Sequence, residues 1–298
     1  MMLKSLIDAI EILETKDPLR KIRERLKGVE YFEYKEDKMG EVTFLKVYFN
    51  YGNKNKVEIL GRLGAIQMQN VNKGLVSDAD GAIITLAVLF ELQNLLNNGI
   101  ELNLGVSFVT NISLNAKLIP HKPFDFMVPS IGLEDALKEE VESNASLILS
   151  IDSTKGNKIA KFDDFAITHV IKDGYILKPN DEIIDIYNRV TGHEVYFIPL
   201  TTGDLTPMDF NVYHISTLVS PWLYTESPVI GIATVSKQII PGYVTGVLNI
   251  EMLEHAARFC LELLKFVEKD GKVYDENELS ELINRLGESS LKKIQKIK

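Results

Sequence analysis

GRLGAIQMQNVNKGLVSDADGAIITLAVLFELQ, residues 61–93, is the stretch that decides how this chain folds. It opens at the end of an apolar run, VEILGRLG (57–64), that reads as a strand. It crosses a polar loop to a tight acidic turn, Ser77-Asp78-Ala79-Asp80-Gly81, and enters a helix over 82–96 at once. That helix is apolar over most of its circumference, so it has to be buried against a sheet. Carboxylates between a strand and a helix N-terminus serve one of two purposes. They cap the exposed N–H groups of the first helical turn, or they project oxygens into a crevice at the carboxyl end of a parallel sheet.

Working outward, residues 3–13 and 18–26 carry apolar side chains at helical spacing, broken at Lys16-Asp17-Pro18, where Pro suits a first helical position. Residues 29–34 and 42–48 alternate as two strands around a Lys38-Met39-Gly40 turn. Beyond the buried helix, 102–110 reads as a strand. Residues 111–131, with Pro120, Pro123 and Pro129, resist regular assignment, and long ordered loops are often functional. A helix is expected at 132–143, a short apolar strand at 147–152, and a strand-rich excursion at 158–177. Next come a helix at about 181–190, a strand at 194–200 and a helical stretch at 211–219. A strong strand at 228–235, helices at 250–267 and 276–286, and a solvated Lys-rich end complete the chain. Strands recurring with helices between them imply βαβ crossovers.

Composition narrows the function classes. The 298 residues are 45% hydrophobic and 25% charged, an ordinary globular balance that suits one large α/β domain. The net charge of −9 argues against sequence-independent nucleic-acid binding, which needs a basic surface. The lone Cys260 excludes an intrachain disulfide and, with the apolar helix around it, reads as a buried structural thiol in a reducing, cytoplasmic setting. The first helix reads as amphipathic rather than as a signal peptide. No apolar run approaches the roughly 20 residues of a membrane span.

Chemistry gathers at three expected strand ends, each with an acid: Asp78 with Asp80, Asp152 in SIDSTKG, and Asp204 in TTGD. In a parallel sheet these ends share one edge, and converging carboxylates repel unless a cation, a proton or a donor intervenes. A divalent metal, zinc or manganese, is one solution. The other is that each Asp caps its own turn and no metal is present. Of the five histidines, His121 in the Pro-rich loop and His214 after Asp204 are the site candidates. His169, His193 and His255 read as packing or turn residues. Lys155, in Lys155-Gly156-Asn157, offers a cation to an anion or simply closes a hairpin.

Two resemblances rest on these motifs. The segments GRLG (61–64), GLVSDADGA (74–82), SIDSTKGN (150–157), GYIL (174–177), TTGDLTP (201–207), PGYVTG (241–246) and EHAARFC (254–260) are collinear. They resemble the bacterial and archaeal family named domain of unknown function 1177, which brings no established activity. More distantly, the chain is similar to the co-catalytic zinc aminopeptidases and their deacylase relatives. There Asp78-Ala79-Asp80-Gly81 is similar to the bridging-Asp turn, Asp152 to a later Asp ligand, and Thr202–Asp204 to a Gly-Thr-Asp loop. The departures are equally specific. Arg62 and Gln67 stand where the first His is expected, the Glu-Glu position falls on Asn111–Leu114 without an acid, and PGYVTG lacks the last His.

The expected fold is one α/β domain over 1–298, with 1–50 as a helical and hairpin extension and 287–298 as a tail. Its mixed, mainly parallel sheet has helices on both faces, in the zinc-aminopeptidase, phosphorylase/hydrolase-like manner. Besides an oligomer-forming protein whose acids only cap turns, two functions follow from the resemblance and the residues. One is a divergent hydrolase of an amide or small acylated metabolite, with Asp78 and Asp152 sharing a metal, helped by Asp80 or His121, and with Asp204 and His214 on substrate. The other is a metal-free protein that binds a small polar or anionic ligand through Arg62, Lys155, Thr202 and backbone N–H groups. A homo-oligomer is the expected assembly.

Overall fold

The computed structural model describes residues 2–50, 52–62, 75, 79–114, 117–120, 126–128, 130–141, 144–154, 158–206, 215–235 and 248–297. Helix α3 (Asp80–Asn97) is the buried helix expected from the opening stretch, and residues 80–93 are all buried. It has a reason to be apolar all round. One side lies on the sheet, and the others meet α1 (Met2–Leu13) and α8 (Ile250–Glu268). Leu6, Ala9 and Leu13 of α1 are fully buried in that layer, so the N-terminal helix belongs to the main core.

The sheet runs β1 (Phe32–Met39), β2 (Val42–Phe49), β4 (Gly105–Ser113), β3 (Lys56–Gly61), β7 (Leu147–Asp152), β11 (Val229–Ala233), β9 (Val170–Lys172), β10 (Tyr175–Leu177), with β8 (Ala166–Ile167) also on β11. Among the named strands, parallel pairing joins the four central strands β4, β3, β7 and β11. The flanks are antiparallel. The hairpin β1–β2 therefore extends the central sheet instead of standing beside it. Its turn falls at Gly40, where φ is +60°, so β1 begins and ends later than the alternation suggested.

Side chains of the central strands split by period two into two cores. Val57, Ile59, Leu149, Ile151, Ile230 and Ile232 join α1, α3 and α8 in one core. Leu60, Val109, Ile148 and Val229 face a second, with Leu137 of α4 (Leu133–Glu140), Leu205 of α6 (Thr202–Leu205) and Trp222. Helices thus cover both faces, as the sequence implied.

Three expectations need correcting. The stretch 111–131 is not wholly irregular: β5 (Lys117–Ile119) and β6 (Phe126–Val128) form a small antiparallel pair. Residues 194–200 do not form a strand. Only Phe197 bridges to Ile167, flanked by Ile198 N–H to Ile167 O (2.8 Å) and Ile167 N–H to Tyr196 O (2.9 Å). The short run is apolar enough to mimic a strand, but Pro199 cannot donate to a ladder. Lastly, the Lys-rich end is docked. A 3-10 turn, Ser290–Ile294, sets Leu291 and Ile294 against the second core, and Lys296 N–H donates to Leu223 O at 2.6 Å. Among the described residues no helix is long and apolar enough to cross a membrane.

Candidate functional site

The four parallel strands bring their carboxyl ends to one edge. Gly61 of β3 is in register with Thr110 of β4 and Ile151 of β7, and Ala233 of β11 with Asp152. Arg62 N–H continues the pairing to Ile151 O at 2.8 Å. One step beyond the registered residues, Asn111, Arg62 and Asp152 therefore form a row across three neighbouring strands, on the face covered by α4. Glu140 closes over that row from the last turn of α4. Its Oε2 lies 3.6 Å from Arg62 Nη1, and its Oε1 accepts from Asn111 Nδ2. Arg62, Asn111, Glu140 and Asp152 are each at most 5% exposed.

The edge is pinned from the other face. A Cβ on Gly81 would stand 2.8–2.9 Å from Arg62 and Ile151 backbone atoms, so only glycine lets the first turn of α3 rest on the ends of β3 and β7. Asp80, in that first turn, reaches across to β11: its Oδ2 accepts from Thr234 Oγ1 at 2.8 Å. Thr234 N–H in turn donates to Asp152 O at 3.1 Å. The Asp152 carboxylate accepts from Ser153 N–H (2.8 Å) and from Thr217 Oγ1 (3.1 Å), the latter on α7 (Ile215–Val219). Asp80 by its carboxylate and Asp152 by its backbone carbonyl thus meet at Thr234, and both residues are buried.

Asp204 stands differently. Residues 194–200 form no strand, so Asp204 is not at a strand end. It completes a capping box at the start of α6, accepting from Thr201 N–H and Thr201 Oγ1, both at 2.7 Å, while Thr201 Oγ1 faces Asp204 N. The spacing Thr-x-x-Asp in TTGD is itself a capping-box signature, so this role was readable from the sequence. Thr202 is the exposed first residue of the same helix. Asp78, His121, Lys155 and His214 lie outside the described residues.

Sequence reasoning missed Glu140, Thr217 and Thr234. None sits in a motif, and each acquires its place through strand register or helix docking. Cys260 is fully buried, and burial pushes its thiol well above the ordinary range, so it is an inert core residue.

A divalent metal needs several converging acids, imidazoles or thiolates. Among the described residues no group of three or more His, Cys, Asp or Glu is arranged to hold one. Among the described residues the Asp80 and Asp152 carboxylates are already served by threonine hydroxyls, and Glu140 faces Arg62 and Asn111. The same row holds a buried guanidinium whose charge answers the acids. The described residues therefore do not fit a dinuclear zinc centre.

The family described as "Protein of unknown function (DUF1177)" matches residues 33–296. The chain is a DUF1177 protein. No curated protein matches it by sequence. Among solved structures, this DUF1177 chain is similar to the bottromycin maturation enzyme BotP, with a TM-score of 0.57 at 13% identity over 89% of this chain and 69% of that one. It is also similar to the cytosol aminopeptidase from Coxiella burnetii, with a TM-score of 0.53 at 13% identity over 86% and 67% of the two chains. A Zn-dependent exopeptidase from Parabacteroides distasonis aligns with a TM-score of 0.48 at 10% identity over 88% and 97%. The DUF1177 chain has the zinc-aminopeptidase-like fold, a mixed sheet with helices around it.

Proposed function

We propose that this DUF1177 protein binds a small polar or anionic ligand at the carboxyl edge of β3, β7 and β11, with Arg62 as the fixed cation of the site. The row Asn111, Arg62, Asp152 carries this reading. A guanidinium buried beside acids does electrostatically what a metal would do, without needing imidazole ligands. Arg62 Nε carries no hydrogen bond and Nη1 has only its 3.6 Å ion pair with Glu140, so the guanidinium keeps donor capacity for an oxyanion. Ligands of open α/β sheets also collect at this edge as a rule.

A second reading is a hydrolase of an amide or small acylated metabolite. The two buried acids Asp80 and Asp152 at the sheet edge favour it, as does the fold shared with peptidases. In that reading Asp80 and Asp152, with Asp78, are the residues that would hold a divalent cation.

A thermal-shift screen of small carboxylates and phosphates separates the two. The expected result is a saturable rise in midpoint for the wild type without added metal, because a ligand selective for the native state stabilises it by about 2.7 kcal/mol at a hundredfold excess over Kd. Arg62→Lys keeps the charge but loses the planar fork, so its affinity should fall by at least tenfold. Stabilisation that appears only with Zn²⁺ or Mn²⁺ present, and is unaffected in Arg62→Lys, would favour the hydrolase.

A further inference from the structure

A second polar cluster lies apart from the Arg62 row. Asp164 is buried in the chain that continues from β7 through residues 158–165, and one of its oxygens serves two imidazoles. Oδ2 is 2.6 Å from His255 Nδ1, on the second turn of α8, and 3.4 Å from His193 Nε2. The other oxygen, Oδ1, accepts from Phe165 N–H at 2.7 Å, so the carboxylate cannot swivel without losing a backbone partner. His193 follows the left-handed Gly192 that ends α5 (Asp181–Thr191). Its Nδ1 is 2.7 Å from Glu194 O, and its ring stacks on Tyr196 with centroids 4.5 Å apart.

The tautomers follow from the partners. A carbonyl oxygen only accepts, so His193 Nδ1 must carry a proton. Its Nε2 faces a carboxylate oxygen, which also only accepts. The neutral ring can donate at one nitrogen, and so it turns a lone pair toward Asp164. Only the imidazolium satisfies both contacts. His255 is different: its Nδ1 faces the carboxylate, and a neutral ring with its proton on Nδ1 still donates.

We propose that Asp164, His193 and His255 form a proton-operated latch. It clamps the 158–165 segment, the end of α5 and the first turns of α8 together when His193 is an imidazolium, and it releases His193 on deprotonation. The segments it joins are those that connect the site strands onward: residues 158–165 continue the chain after β7, and α8 is the next described helix after β11. The same carboxylate thus ties chain that follows Asp152 to chain that follows Thr234.

The surrounding groups have the right sign. On α8, Glu254 and Glu251 add negative charge, with Glu254 Oε1 also paired to Arg258. From α5, Tyr187 meets His193 edge-on with ring centroids 5.7 Å apart. From 158–165 come Asp164 itself and its neighbour Asp163, and from 194–196 the Glu194 carbonyl and Tyr196. Hydrogen bonding to Asp164 holds the His255 imidazole above the ordinary 6.5, against the opposing effect of burial. A raised folded-state value means that the His255 contribution is full below about 6.5. It is lost as pH climbs through that raised value. The His255 contact therefore weakens in the alkaline direction.

Amide hydrogen exchange between about pH 6 and about pH 8.5, a range that spans imidazole titration, tests this once rates are corrected for intrinsic base catalysis. Protection of residues 158–165 and of the first two turns of α8 should fall severalfold as pH rises. His193→Gln keeps a donor toward Asp164 without titrating, and His255→Asn does the same at the other imidazole. The double variant should keep its protection and lose the pH dependence. Unchanged wild-type protection across the range, or the same slope in the double variant, overturns the latch. Should the variants not fold, imidazole ¹⁵N–¹H correlation spectra of the wild type decide. Titration of His193 at Nε2 with Nδ1 protonated throughout supports the latch, and a neutral form protonated at Nε2 contradicts it.

Discussion

Replacing Arg62 by Gln lowers the free energy of unfolding by about 3–5 kcal/mol, because removing one partner of a buried ion pair leaves the other charge uncompensated. The uncompensated group is Glu140, whose side chain is fully buried, and its Oε2 has no hydrogen bond of its own. The loss is specific to charge. The double variant Arg62→Gln, Glu140→Gln should recover a large part of it, since both charges then leave together and Asn111 keeps an oxygen to donate to. Urea unfolding of the four proteins of this cycle gives the coupling directly. Additive single effects would mean that Arg62 and Glu140 do not interact, and the row Asn111, Arg62, Asp152 would lose its role as the charged centre of the edge.

Gly61→Ala is expected to be nearly as damaging, for a steric reason. The added Cβ would land on the Gly81 carbonyl oxygen, 2.6 Å from its carbon and 2.5 Å from Thr85 Oγ1. Two of these atoms are backbone and cannot rotate away, so α3 has to shift off the end of β3. Overpacking of this kind costs about 3 kcal/mol, at the upper end of its usual range. The same shift moves Asp80 relative to Thr234, so ligand-induced stabilisation should disappear even where the variant remains folded. Thermal unfolding with and without ligand measures both effects. A variant of wild-type stability that still binds would show that the contact between β3 and α3 does not set the site.

The strand and the buried helix were readable because α3 is covered on every side. Its unbroken apolar surface is the sequence trace of that burial, and the Gly61 and Gly81 pair marks the close contact at its start. The alternation of strands with helices followed from hydrophobic patterning. What patterning did not carry was register. That Asn111, Arg62 and Asp152 stand in one row depends on how three separate strands align. That Glu140 covers them depends on where a short helix docks. Asp204 shows the opposite case: TTGD held its capping role in plain spacing, but a neighbouring apolar run suggested a strand end. The His193 and His255 pairing with Asp164 was equally invisible, since the three residues come from separate stretches and form no short motif. Arg62 in place of an imidazole and Asn111 in place of an acid were visible as departures. Their positive meaning needed the third dimension.

In the binding reading proposed above, Arg62 and not a metal is the cation of this edge. Elemental analysis of the wild-type protein, purified without a His-tag, incubated with Zn²⁺ or Mn²⁺ and then desalted, tests it most directly. The expected result is no stoichiometric metal, with ligand-induced stabilisation unchanged by chelator. Stoichiometric zinc or manganese that survives desalting and is lost in Asp152→Asn would contradict it.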